Sequence, residues 1–135
     1  MPERTPQEKR LLEKAAQYLP GGNTGNLTVR DDLSFLVREG KGSRIWDVSG
    51  NEYVDWIMGS GPMLLGHAHP AIIEAVVQAA PAGLHFGNDH PLQVEWAELI
   101  QQIVPCADLI RFVNSGSEAN ALACRIARGF TGRGK

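Results

Sequence analysis

Phe112-Val113-Asn114-Ser115-Gly116-Ser117-Glu118-Ala119-Asn120 turns a short apolar run into a helix of small residues through a Ser-Gly-Ser corner. Before the corner, Leu109-Ile110-Arg111-Phe112-Val113 reads as a brief, mostly buried strand. After it, Leu122, Ile126 and Phe130 recur at helical spacing in the stretch from Ala119 to Phe130. The first N–H groups of a helix lack internal partners and stand at the positive end of its dipole, so the corner offers an anion such as phosphate a place to bind. Gly116 admits close approach of the backbone, and Ser115 and Ser117 add hydroxyl donors. The same residues spell a capping box, Ser115-x-x-Glu118, in which both side chains satisfy backbone N–H groups without any ligand. Taken alone, the corner leaves both readings open.

Working outward, Thr5-Pro6 opens a helix in which Leu11, Leu12, Ala15, Ala16 and Leu19 form the apolar side, with Glu8, Lys9, Glu13 and Lys14 expected outward. Pro20-Gly21-Gly22 ends it, and Asn23 to Asp32 follows as an aperiodic loop. The stretches 33–38, 43–48 and 52–57 alternate apolar and polar side chains, separated by Gly40-Lys41-Gly42 and Ser49-Gly50-Asn51, as an antiparallel meander does. Between Met58 and Pro70 the glycines and prolines forbid a regular element. Pro70 and Pro91 then occupy the first turns of helices expected to reach about Ala80 and Val104. A meander followed by helices, a strand and a phosphate-type corner is the pattern of an α/β protein with an α+β N-terminal segment.

Several blocks in this order resemble the class III (subgroup II) aminotransferases that use pyridoxal phosphate, nearest their glutamate-1-semialdehyde aminomutase-like branch. They are Leu19-Pro20-Gly21-Gly22, Trp46-Asp47-Val48-Ser49-Gly50-Asn51-Glu52-Tyr53-Val54-Asp55, Gly61-Pro62-Met63-Leu64-Leu65-Gly66-His67-Ala68-His69-Pro70 and Asn114-Ser115-Gly116-Ser117-Glu118-Ala119, then Arg125 to Arg133. The resemblance implies a fold-type-I transferase. Residues 1–66 would belong to its small domain, and residues 67–135 would begin the large cofactor-binding domain. It also implies that the chain is the N-terminal part of a longer protein. Gly116 and Ser117 would hold the phosphate of pyridoxal 5'-phosphate, with Ser115 and Glu118 supporting the turn.

The family's Schiff-base lysine is expected beyond Lys135, so no catalytic residue is assigned within the chain, and the chain alone is expected to be inactive. Ser60 and Gly61 fall at the mouth of the family's active site, where aminomutases carry tryptophan at the position of Ser60. The arginine that grips a substrate carboxylate in relatives would lie near Gly25 or Thr28, and Arg30 stands offset from both. Phe86-Gly87-Asn88 resembles a loop that approaches the cofactor from a partner subunit; its plainer reading is a turn. The expected reaction is amino transfer on a small amino acid or amino-aldehyde by a homodimer. The alternatives are the 2,1-aminomutase reaction and a truncated, non-catalytic module that binds anions or associates with other subunits.

Composition narrows the classes further. The formal net charge is −2 over 135 residues, with both signs dispersed, so no basic face is available for nucleic acid or anionic lipid. The charged N-terminus and the lack of a long apolar run point to a cytoplasmic protein that does not enter a membrane. Cys106 and Cys124 are expected as buried free thiols, and Trp46, Trp56 and Trp96 as packing residues. His67 and His69, one residue apart on an extended loop, would face opposite ways; a structural role is expected for them and no metal site.

Overall fold

The computed structural model describes residues 3–23, 30 and 33–134. Helix α1 spans Pro6–Tyr18, strands β1, β2 and β3 span Val37–Lys41, Arg44–Asp47 and Glu52–Val54, and helices α2, α3 and α4 span Pro70–Ala79, Pro91–Ile103 and Gly116–Thr131. Short 3₁₀ segments lie at Pro20–Gly22, Met58–Ser60 and Ala80–Ala82. The chain divides into two compact units, Met1–Leu84 and His85–Lys135.

The helix starts follow from their first residues. Proline occupies the first turn of α1, α2 and α3, where its missing N–H costs nothing and its φ is already helical. Thr5 caps α1 by accepting from the Glu8 N–H, and the Nδ1 of His90 caps α3 by accepting from the Leu92 N–H at 3.2 Å.

In the first unit the strands form one antiparallel sheet in the order β1-β2-β3. Lys41 pairs with Arg44 across a turn at Gly42-Ser43, so β1 begins at Val37 rather than Leu33 and runs through the predicted Gly40-Lys41 turn. The register slips between Val37 and Glu39, which places an irregularity at Arg38. Phe35 stacks on Tyr53 at 4.6 Å between ring centroids.

The fully buried side chains are carboxylates. Glu8, expected to face solvent, is 0% exposed and Asp47 is 1% exposed, while no apolar side chain among the described residues is buried. The Glu8 carboxylate accepts from the Leu36 N–H at 3.1 Å and the Ser49 hydroxyl at 2.5 Å. Ser49 Oγ in turn accepts from the Thr5 N–H at 2.8 Å, so hydrogen bonds rather than an apolar core tie α1 to the meander. Asp47 closes the β2–β3 turn by accepting from the Asn51 N–H and side-chain amide and from the Tyr53 hydroxyl, all within 2.9 Å.

In the second unit, no strand forms at Leu109–Val113: a strand needs a hydrogen-bonded neighbour, and none pairs with this segment among the described residues. Leu109 is 94% exposed, against the expectation of a mostly buried run, and Phe130 at the end of α4 is 92% exposed. Cys106 and Cys124 are likewise exposed rather than buried. Trp96 stacks on Phe112 at 4.2 Å yet stays exposed, and Trp56 is 89% exposed, so of the three tryptophans only Trp46 is even half-buried. No described helix is long and apolar enough to cross a membrane.

Candidate active-site elements

The Ser-Gly-Ser corner opens α4. Ser115 is its cap, in extended conformation, and Ser115 Oγ accepts from the Glu118 N–H at 3.2 Å. The Glu118 carboxylate reaches back to accept from the Asn114 N–H at 2.7 Å, one residue earlier than the capping-box pattern predicts. Ala119 begins the regular ladder by donating to the Ser115 carbonyl at 3.0 Å. The N–H groups of Gly116 and Ser117 are left without an acceptor among the described residues. The box thus occupies one helix N–H, and the first two N–H groups remain open at the helix end. A Cβ added at Gly116 would meet nothing within 4 Å, so the corner is open on that side. Open donors, nearby serine hydroxyls and the positive end of a 16-residue helix suit a phosphate monoester.

The remaining candidates lie elsewhere. Ser60 and Gly61 are exposed on the loop after β3, and Ser60 holds a left-handed φ of 68°. Arg30 is exposed, and its carbonyl accepts from the N–H groups of Leu33 and Ser34. Gly25 and Thr28 lie outside the described residues. In the second unit Phe86 is 51% exposed and stacks on His90 at 5.4 Å.

The histidine pair is arranged differently from expectation. Ala68 has φ 50°, so the segment turns there instead of running extended. His67 Nε2 meets the Asp55 carboxylate at 2.6 Å. This contact holds the Asp55 carboxyl below its ordinary value, aided by the N–H groups of Met58 and Ile57. Asp55 closes the Trp46–Asp55 block but carried no assigned role; its signal was an aspartate just before a glycine-rich loop, where it can cap the turn that follows. Burial raises the Asp47 carboxyl, but the hydrogen bonds from Asn51 and Tyr53 outweigh it and leave the group below its ordinary value. Burial, then the bond to Asp47, push the Tyr53 phenol up to about 12. Among the described residues no group of three or more histidine, cysteine, aspartate or glutamate side chains could hold a metal ion.

The sequence model of the class-III aminotransferases matches residues 27–135. The glutamate-1-semialdehyde 2,1-aminomutase of Sorangium cellulosum is 45% identical over 135 residues, covering 97% of this chain and 31% of the relative. Among solved structures, a transaminase with PLP bound superposes with a TM-score of 0.91 at 34% identity, covering 99% of this chain and 32% of that one. An omega-transaminase from Sphaerobacter thermophilus gives a TM-score of 0.88 at 35% identity, covering 93% of this chain and 29% of its own. The chain thus spans about 30% of the length of the relatives it matches.

Proposed function

The chain belongs to the class-III aminotransferase family, and from that premise we propose that the complete gene product transfers an amino group on a small amino acid or amino-aldehyde with pyridoxal 5'-phosphate as cofactor. The family match over residues 27–135 is the observation that carries this reading. The division into a small-domain part, residues 1–66, and the start of the cofactor domain, residues 67–135, goes with it, as do a homodimer and a cytoplasmic location.

The open end of α4 supports the cofactor assignment. The N–H groups of Gly116 and Ser117 and the hydroxyls of Ser115 and Ser117 would hold the phosphate. Ser115 Oγ already accepts from Glu118, which leaves its O–H free to donate outward. Glu118 would act indirectly, by fixing Asn114 and hence the corner. When bound, pyridoxal phosphate supplies the aldehyde that condenses with an amine and the ring that takes up electrons from the substrate carbon. Lys9, Lys14 and Lys41 are exposed on α1 and at the end of β1, and the reading places the condensing lysine beyond residue 135. Ser60, Gly61 and Arg30 are proposed to contact the substrate, and Phe86, as the resemblance implies, to do so from a partner subunit.

The 45% identity to a named 2,1-aminomutase favours a second reading, isomerisation of a semialdehyde without an external acceptor. The test supplies the complete gene product and cofactor with a panel of amines and a keto acid, then with glutamate-1-semialdehyde alone. Keto-acid-dependent turnover is expected. Efficient isomerisation of the semialdehyde alone would replace transamination with the aminomutase reaction. No turnover in either arm would leave the non-catalytic module.

A further inference from the structure

The loop at residues 56–66 is shaped inside by short-range backbone hydrogen bonds, the Ser60 N–H donating to the Ile57 carbonyl and the Gly66 N–H to the Met63 carbonyl, both at 2.9 Å, but little of it is buried. Trp56 is 89% exposed, Ile57 69%, Leu64 90% and Leu65 60%, so it gains little order from burial. Met58 and Ser60 hold φ values of 47° and 68°, a region unfavourable for residues with a Cβ. What fixes it to the rest of the first unit is its two ends.

Both ends are pinned to the sheet. Asp55 donates its N–H to the Ser43 carbonyl at 2.9 Å. His67 forms an isolated antiparallel bridge with Gly42, its N–H donating at 2.9 Å and its carbonyl accepting at 2.8 Å. Glycine is required on both sides of that bridge: a Cβ at Gly40 would lie 2.7 Å from the imidazole, and one at Gly66 2.9 Å from the Gly42 backbone. The two ends are then joined directly, His67 Nε2 to Asp55 Oδ2 at 2.6 Å, while Asp55 Oδ1 accepts from the N–H groups of Ile57 at 2.8 Å and Met58 at 3.1 Å. The two side chains are 22% and 10% exposed, too sheltered for water to replace the contact as it does in a surface pair.

We propose that Asp55 and His67 are positioning residues, whose side chains form a neck that closes loop 56–66 and sets Ser60 for the substrate. The substrate half of this rests on the function proposed above; the neck itself does not. Neither residue exchanges a proton with substrate. Each acts through the backbone it holds, as the paired ends of a compact surface loop do.

The test compares the complete gene product with H67A, with H67Q, whose amide can still donate to Asp55, and with D55N, which keeps an acceptor for the Ile57 and Met58 N–H groups. In H67A, amide hydrogen exchange of residues 56–66 is expected to accelerate by about tenfold or more, while residues 35–54 change by less than about twofold. KM for the amino substrate should rise about fivefold with kcat and cofactor retention within about twofold, and H67Q should recover most of both effects. Unchanged loop exchange overturns the neck. So does equal loosening of the whole sheet, because the pair would then serve only global stability. A loosened loop with unchanged KM overturns the positioning of Ser60. If H67A fails to fold, D55N decides by the same readouts. An inactive wild type would refute the proposed function and leave the exchange ratio to decide the neck.

Discussion

Replacing Gly116 with valine separates a phosphate site from a mere helix cap. Gly116 is the first residue of α4, and it is not among the glycines with positive φ. A Cβ there meets nothing within 4 Å. Valine therefore costs this chain nothing sterically, and its helix propensity is better than that of glycine by a few tenths of a kcal/mol. The Ser115–Glu118–Asn114 box is untouched, since none of its bonds uses position 116. What the isopropyl group does obstruct is the approach of an anion to the open N–H groups of Gly116 and Ser117. A hydrogen bond to a charged group contributes about 1.5–3 kcal/mol, and even its partial loss, about 1.4 kcal/mol, is a tenfold weakening. On the complete gene product, G116V should retain the apo-protein's Tm and lose pyridoxal phosphate affinity by at least about tenfold, read by cofactor absorbance after dialysis. S115A is the control: it should lower helix stability by about 1 kcal/mol through the lost cap. Unchanged cofactor affinity in G116V would refute the phosphate assignment and leave the corner as a cap alone.

Truncating Glu8 to alanine strands the Leu36 N–H and the Ser49 hydroxyl, and it should cost about 2–4 kcal/mol in urea unfolding of the first unit. E8Q, which keeps an acceptor for Leu36, should cost less than half as much, and a neutral E8A would disprove the clasp. Ala68 holds φ 50°, so A68G trades a strain of about 1–2 kcal/mol against glycine's entropy of about 0.5–1 kcal/mol and should stabilise slightly; clear destabilisation in the same assay would contradict this. Tyr53 and Asp47 set opposite pH limbs. The tyrosine's contribution is complete below its unfolded value near 10 and disappears as pH rises through its native value of about 12, so Y53F should flatten the alkaline limb of the stability profile. The aspartate's native value is depressed, so its contribution is complete above 3.8 and disappears as pH falls through that lower value; D47N should flatten the acid limb. Unaltered limbs in both variants would refute the Asp47–Tyr53 assignment.

Local chemistry made much of this chain legible. Pro6, Pro70 and Pro91 mark three helix starts because a proline's missing N–H and preset φ act within one turn. Ser115 and Glu118 mark the fourth for the same short-range reason. The meander appeared through alternation, but its first strand was placed early, since pairing of Lys41 with Arg44 across a tight turn depends on register and not on the residues of β1 alone. Leu109 to Val113 had the composition of a strand, yet a strand exists only beside a hydrogen-bonded neighbour, and composition cannot supply one.

By itself, then, the sequence determined the helix starts, the alternating meander and the serine-capped corner of α4, because each depends on residues a few positions apart. Tertiary structure alone decided that Glu8 turns inward, since its partners Leu36 and Ser49 are remote in the chain. It alone decided that His67 reaches Asp55 around an intervening loop. Periodicity records which side of an element is apolar, whereas a hydrogen bond between distant residues depends on where the folded backbone carries them.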